Sequence, residues 1–149
     1  MAIAAKRNVE TTWKGSLETG QGELKGTSGA LDGLKVTWGS RIDRPDGRTS
    51  PEELAAAAHS SCFAMALELT LDQNKTSATQ LNVSCTVSLE EVEGIPTVVS
   101  SAIEVNAKVE GIDQATFEEI VNKAAKLCPI SRLFSGAKIS VDAKLELVE

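Results

Sequence analysis

From residue 81 to residue 90, hydrophobic and polar side chains alternate without a break. Leu81, Val83, Cys85, Val87 and Leu89 take one side, and Asn82, Ser84, Thr86, Ser88 and Glu90 the other, which is the period of a strand with one face on a core. Cys85 is thereby predicted as a core residue. Glu93 and Gly94 read as a hairpin turn, and the following strand, residues 95–109, places Ile103, Val105, Ala107 and Val109 on one side, so the two strands should pair. Three shorter extended segments, residues 9–17, 21–28 and 34–38, are separated by glycines. In the last of them Leu34, Val36 and Trp38 alternate with Lys35, Thr37 and Gly39, and the three together suggest an antiparallel meander. Ile139, Val141, Ala143, Leu145 and Leu147 mark a closing strand.

Two stretches carry the helical period instead. Residues 50–69, SPEELAAAAHSSCFAMALEL, open with a serine N-cap, a proline in the first turn and Glu53 placed to complete a capping box. Helical spacing puts Ala55, Ala58, His59, Cys62, Met65, Ala66 and Leu69 on one apolar face, with Leu54, Ala57, Ser61, Ala64 and Glu68 elsewhere. In the second stretch Asp113 is an N-cap and Phe117, Ile120, Val121, Ala124 and Cys128 recur along one face. Pro129 disfavours helical geometry at Cys128, so this helix should end or kink there, with a short further helix over residues 130–134. Residues 41–49, RIDRPDGRT, read as a polar loop, and residues 72–80 as a polar connector. The predicted class is α+β in the order βββ, α, ββ, α(α), β, in one domain over residues 1–149.

Composition narrows the partners. A chain that is 42% hydrophobic and 24% charged suits a modest core, and a net charge of −6 with a pI near 4.9 offers no broad positive field for nucleic acid or anionic membrane. The N-terminus lacks an apolar signal core and no run approaches the roughly 18 apolar residues of a membrane span, so a cytoplasmic location is expected. In a reducing compartment Cys62, Cys85 and Cys128 are not expected to be structural staples, and their spacing fits no zinc ribbon or finger.

The chemistry rests on the cysteines. A thiol reacts as thiolate, which a helix N-terminus, a cation or a histidine favours. Cys62 lies eleven residues past Pro51, about 16 Å along a helix, beyond the reach of the helix dipole, so its cation must come from elsewhere. The arginine loop just before the helix is the obvious source. Cys128, at a helix break, should be the more exposed and more easily ionised thiol. One buried, activatable cysteine and one at a flexible break fit a peroxidase, in which a sulfenate on one condenses with the other. Two other readings stay open. His59 lies three residues before Cys62 on the same face, which suits a Cys/His acyl-transfer hydrolase, although no nucleophile elbow or oxyanion loop is visible. A noncatalytic redox sensor is the third.

The segment SPEELAAAAHSSCFAMAL, with CPISR some sixty residues later at the end of an amphipathic helix, resembles the OsmC branch of the OsmC/Ohr hydroperoxide reductases. WKGSLETGQGEL, an SR about ten residues before PEEL, VSLEEVEG and EGIDQATFEEI follow in the order that resemblance implies. It implies an OsmC-like fold and reduction of organic hydroperoxides, and of hydrogen peroxide, to alcohol or water in oxidative stress defence. By position, Cys62 would attack the peroxide and Cys128 would resolve the sulfenate as a Cys62–Cys128 disulfide. Arg41 would hold the thiolate and bind the peroxide, with Arg44 and Arg48 as competitors in the same loop, and Glu52 would orient the arginine. His59 would be a marker of the branch. No metal, haem or flavin is implied, only an external dithiol reductant such as dihydrolipoyl groups.

One expectation is geometric. On a straight helix ten residues separate Glu52 from Cys62 by about 15 Å, too far to share a site within one subunit. Two copies of the helix packed antiparallel about a two-fold axis would bring them together, the alanine run 55–58 allowing close approach. A homodimer with composite sites is therefore expected, and the resemblance implies that it is intertwined.

Overall fold

The computed structural model describes residues 4–146 of the 149, so Leu147 lies outside the described residues. The chain divides into two compact units, one ending at Leu54 and one beginning at Ala55.

In the first unit, β1 (Val9–Lys14), β2 (Gln21–Gly26) and β3 (Lys35–Val36) form the predicted antiparallel meander in the order β1-β2-β3. Gly22 lets the strands approach. A Cβ there would lie 2.8 Å from Val36 Cγ2 and 3.1 Å from both Thr11 Cγ2 and Trp13 Cε3. The third strand is shorter than its alternation suggests, because Thr37 ends it and caps a helix, α1 (Trp38–Ile42), where the patterning predicts strand and loop. The Thr37 hydroxyl accepts from the Ser40 N–H at 3.0 Å, and Ser40 Oγ accepts from the Thr37 N–H at 2.9 Å. This is a reciprocal capping box with serine in place of the usual glutamate.

The long helix α2 (Pro51–Gln73) starts where its caps predict, with Ser50 Oγ accepting from the Glu53 N–H at 3.1 Å. The return half of the expected box is not made. Glu53 instead accepts from the Thr49 hydroxyl at 2.6 Å. At the other end Lys75 adopts φ 59°, and the Thr76 N–H bonds back to the Leu71 carbonyl at 3.0 Å, a Schellman-type stop.

The second unit is one sheet with helices on one face. β4 (Ala78–Val92) and β5 (Ile95–Val109) make the predicted hairpin, with Cys85 opposite Ile103, and Glu93 (φ 52°) and Gly94 (φ 80°) turn it in left-handed backbone. β6 (Lys138–Glu146) returns parallel to β5, after α3 (Gln114–Leu127) and α4 (Pro129–Leu133). The class is α+β, as the patterning implies, with one parallel pair in an otherwise antiparallel set. Asp113 caps α3, accepting from the Thr116 N–H at 2.8 Å, and Pro129 opens α4.

The core joins Phe63, Leu67 and Leu71 of α2 to Ile103, Val105, Ala107 and Val109 of β5 and to Phe117, Ile120, Val121, Ala124 and Cys128. Each fully buried large side chain here contributes about 1.5–3 kcal/mol of transfer free energy. Cys85 is half-buried and packs against this cluster. The buried face of α2 differs from the expected one. Phe63 and Leu67 are fully enclosed, whereas Met65 and Leu69 are 73% and 52% exposed. α2 is apolar around most of its circumference, so helical spacing alone selects no single face.

By length and mean hydropathy, 1.3 over its most apolar window, α2 also meets the measure of a membrane-spanning helix, although polar residues interrupt its apolar run. Its inner face is nevertheless committed to the core, with His59 bonded to Ser101 of β5 and Thr70 buried and donating to the Ala66 carbonyl of its own helix.

Candidate active site

The second unit brings the two motif cysteines together. Cys62 is half-buried on α2, and Cys128 is the hinge residue between α3 and α4, closing one helix and preceding the next. All three cysteines are free thiols. Burial pushes the Cys62 thiol above its ordinary value. The backbone N–H of Ile130, in the first turn of α4, works the other way by favouring the thiolate, while the adjacent Cys128 thiol adds to the rise. Within its own unit Cys62 is thus held toward the neutral form.

Cys128 does not behave as its place at a helix break suggests. It is 0% exposed, against the expectation of an accessible thiol. Pro129 redirects the backbone after Cys128, but the side chain still continues the buried row of Ile120, Val121 and Ala124 into the core.

Arg41 and Glu52 meet in the first unit. Arg41 is in the last turn of α1, not in a loop, and α1 is tied to the approach of α2 by Ser40 Oγ, which donates to the Thr49 carbonyl at 2.8 Å. Arg41 Nε then donates to Glu52 Oε1 at 2.7 Å, with the side chains 31% and 11% exposed. Glu52 Oε2 is buried with no hydrogen-bond partner among the described residues. Of the competing arginines, Arg48 reaches only the Asp46 carbonyl, at 3.4 Å, and neither it nor Arg44 pairs with a carboxylate among the described residues.

His59 is engaged elsewhere. Its Nδ1 lies 2.6 Å from Ser101 Oγ and its Nε2 2.7 Å from Ser131 Oγ, all three residues being buried. Cys85 Sγ lies 3.1 Å from Ser101 Oγ, and the Phe134 ring meets the imidazole edge-on at 5.3 Å. Burial lowers the His59 pKa, which favours the neutral ring. With both nitrogens occupied by serines it offers no base to Cys62, which removes the Cys/His hydrolase. Sequence reasoning missed Ser101 and Ser131. Ser101 carries a signal, since it is a polar residue on the β5 face that continues as Ile103, Val105 and Ala107.

Among the described residues, no group of three or more His, Cys, Asp or Glu side chains is arranged to hold a metal ion. The arrangement places a thiol pair in one unit and an arginine oriented by a carboxylate in the other.

The sequence profile of the OsmC-like protein family matches residues 44–144, and the chain belongs to that family. It is 34% identical over 134 residues to peroxiredoxin OsmC of Escherichia coli, covering 90% of this chain and 92% of that one. It is 36% identical over 106 residues to organic hydroperoxide resistance protein-like 1 of Staphylococcus epidermidis, covering 70% and 74%. Among solved structures, an organic hydroperoxide resistance protein of Elizabethkingia anophelis superposes with a TM-score of 0.70 at 24% identity, over 97% of this chain and 100% of that one. An OsmC-like protein of unknown function from Vibrio cholerae superposes with a TM-score of 0.74 at 14% identity, over 95% and 100%. These two establish likeness of fold.

Proposed function

We propose that this protein is a cysteine-based hydroperoxide reductase. The observation that carries the reading is the meeting of the Cys62 thiol on α2 with the Cys128 thiol at the start of α4. Relatives named peroxiredoxin and organic hydroperoxide resistance protein support the substrate class.

The Cys62 thiolate attacks one peroxide oxygen, the O–O bond breaks, and the alkoxide takes a proton to leave as alcohol, or as water from hydrogen peroxide. Cys62 is left as sulfenic acid. The Cys128 sulfur then attacks the Cys62 sulfur, hydroxide leaves and combines with the thiol proton as water, and a disulfide closes. An external dithiol, of the dihydrolipoyl kind, reduces that disulfide by two exchange steps and is itself oxidised. Arg41, oriented by Glu52, supplies the positive charge that favours the thiolate and the departing oxygen.

The protein acts as a homodimer in which a second copy of α2 covers the exposed Met65 and Leu69 and composite sites form. The test is consumption of cumene hydroperoxide and hydrogen peroxide with excess dithiol, beside Cys62→Ser and Cys128→Ser. Catalytic turnover that is lost in Cys62→Ser supports the reading. A single stoichiometric oxidation without turnover makes the protein a sensor instead.

A further inference from the structure

His59 sits one helical turn before Cys62 on α2, fully buried, yet the peroxidase chemistry gives it nothing to do. Its partners show what it holds. Ser101 belongs to β5, the central strand of the sheet, whereas Ser131 and Phe134 belong to α4 and its C-terminal cap.

α4 has five residues and no side-chain bond at its N-cap, and a helix so short does not stand on its own. Its place depends on what it touches. Two of those ties run to the His59 ring, the 2.7 Å bond from Nε2 to Ser131 Oγ and the edge-on contact with Phe134. Ile130, whose N–H faces Cys62, and Cys128, whose thiol lies beside Cys62, are the residues one and three positions before Ser131. A neutral imidazole offers one donor and one acceptor, so it spans two hydroxyls without leaving either nitrogen unpaired.

We infer that His59 is a positioning residue which, through Ser131, fixes the α4 turn so that the Ile130 N–H and the Cys128 thiol both face Cys62. This deepens the proposed function and rests on Cys62 as the reacting thiol. Ser101 anchors the other side of the same ring to the sheet, and its loss weakens the fold without turning α4 away from Cys62.

The test compares four variants of the full chain. His59→Gln carries an amide near the Nε2 position and keeps the tie to Ser131, whereas His59→Asn carries one near Nδ1 and keeps only the tie to Ser101. Ser131→Ala and Ser101→Ala cut the two bonds separately. The first readout is the pH midpoint of Cys62 alkylation by iodoacetamide, followed on the Cys62 peptide without peroxide. It stands whether or not the protein turns over hydroperoxide. The second is the rate at which the Cys62–Cys128 disulfide closes after one equivalent of oxidant.

Ser131→Ala and His59→Asn should move the midpoint up by about one pH unit, as expected when a hydrogen bond to the thiolate is lost. They should slow closure about tenfold. Ser101→Ala should leave both unchanged, and His59→Gln should recover the parent values. An unchanged midpoint in Ser131→Ala, or an equal shift in Ser131→Ala and Ser101→Ala, overturns the inference and makes His59 a core strut only. Should a His59 variant not fold, the two serine variants, each losing a single oxygen, decide the matter.

Discussion

Arg41 Nε donates to Glu52 Oε1 at 2.7 Å, while the second oxygen of that carboxylate is buried without a partner among the described residues. The carboxylate therefore grips the guanidinium at one edge and leaves the terminal nitrogens to act elsewhere. Neutralising it in Glu52→Gln keeps the shape and removes the charge that fixes the arginine. A charge-assisted hydrogen bond is worth about 1.5–3 kcal/mol, so kcat/KM for a hydroperoxide should fall roughly 10- to 100-fold. Arg41 is partly solvated, so the pair should add no more than about 1 kcal/mol to stability. Kinetics beside thermal unfolding checks this, and a loss of stability with unchanged kcat/KM would make the pair purely structural.

Cys128 is enclosed by the core, so its substitutions should separate chemistry from packing. Cys128→Ser introduces a hydroxyl at a fully enclosed core position, at a cost of about 1–3 kcal/mol when that hydroxyl finds no good partner. Cys128→Ala should cost less, because it buries no polar atom. Both variants should accumulate Cys62 sulfenic acid, trapped with a carbon nucleophile and weighed by mass spectrometry. Urea midpoints that rank the serine variant above the alanine one would mean that the site is wetter than its zero exposure indicates.

Where one face of an element is buried and the other is wet, the sequence was readable. β4, β5 and α3 follow their apolar periods, and the N-cap at Asp113 and the break at Pro129 stand where local chemistry put them. α1 was hidden because Trp38 continues the alternation of Leu34 and Val36, and because its cap uses Thr37 and Ser40. The inner face of α2 was hidden for a different reason. Its Phe63, Leu67 and Leu71 row and its Met65 and Leu69 row are both apolar, and only the sheet's position distinguishes them. In the site, the cysteine motifs and the Arg41–Glu52 pair were legible through resemblance. The His59 bonds were not, because their partners lie 42 and 72 residues away.

Leu67 and Met65 are two residues apart on α2, one fully buried and the other 73% exposed. Leu67→Ala should lower unfolding stability by about 2–5 kcal/mol, the range for truncating a buried leucine. Met65→Lys should leave the fold of the single chain within about 0.5 kcal/mol, as for other exposed sites. If a second copy covers this face, a lysine there is desolvated and the dimer dissociates. Sedimentation of the parent as dimer and of Met65→Lys as monomer is the expected pair of results. A dimer that survives the substitution places the contact on another surface.

His59 should also leave a signature in the pH dependence of stability. Burial holds its imidazole below the ordinary value of 6.5, so the folded chain stays neutral there while the unfolded chain takes up a proton. The unfolded state then binds more protons, and stability falls as the pH drops below about 6.5, with a slope of up to about 1.4 kcal/mol per pH unit. The loss levels off below the folded-state value. Cys85 is the titratable side chain that touches the ring, at 3.8 Å from Nδ1, and the remaining contacts are Ser101, Ser131 and Phe134. A second loss of the same sign is set at lower pH by Asp113. The Thr116 hydroxyl and backbone N–H hold its carboxylate below the ordinary 3.8, so its capping contribution is present above that value and disappears as the pH falls through the folded-state value. Urea midpoints between pH 8 and pH 3 should show the upper arm removed in His59→Gln and the lower arm reduced in Asp113→Asn. Retention of the full upper arm in His59→Gln would mean that another group carries it and that the imidazole is protonated in the folded chain.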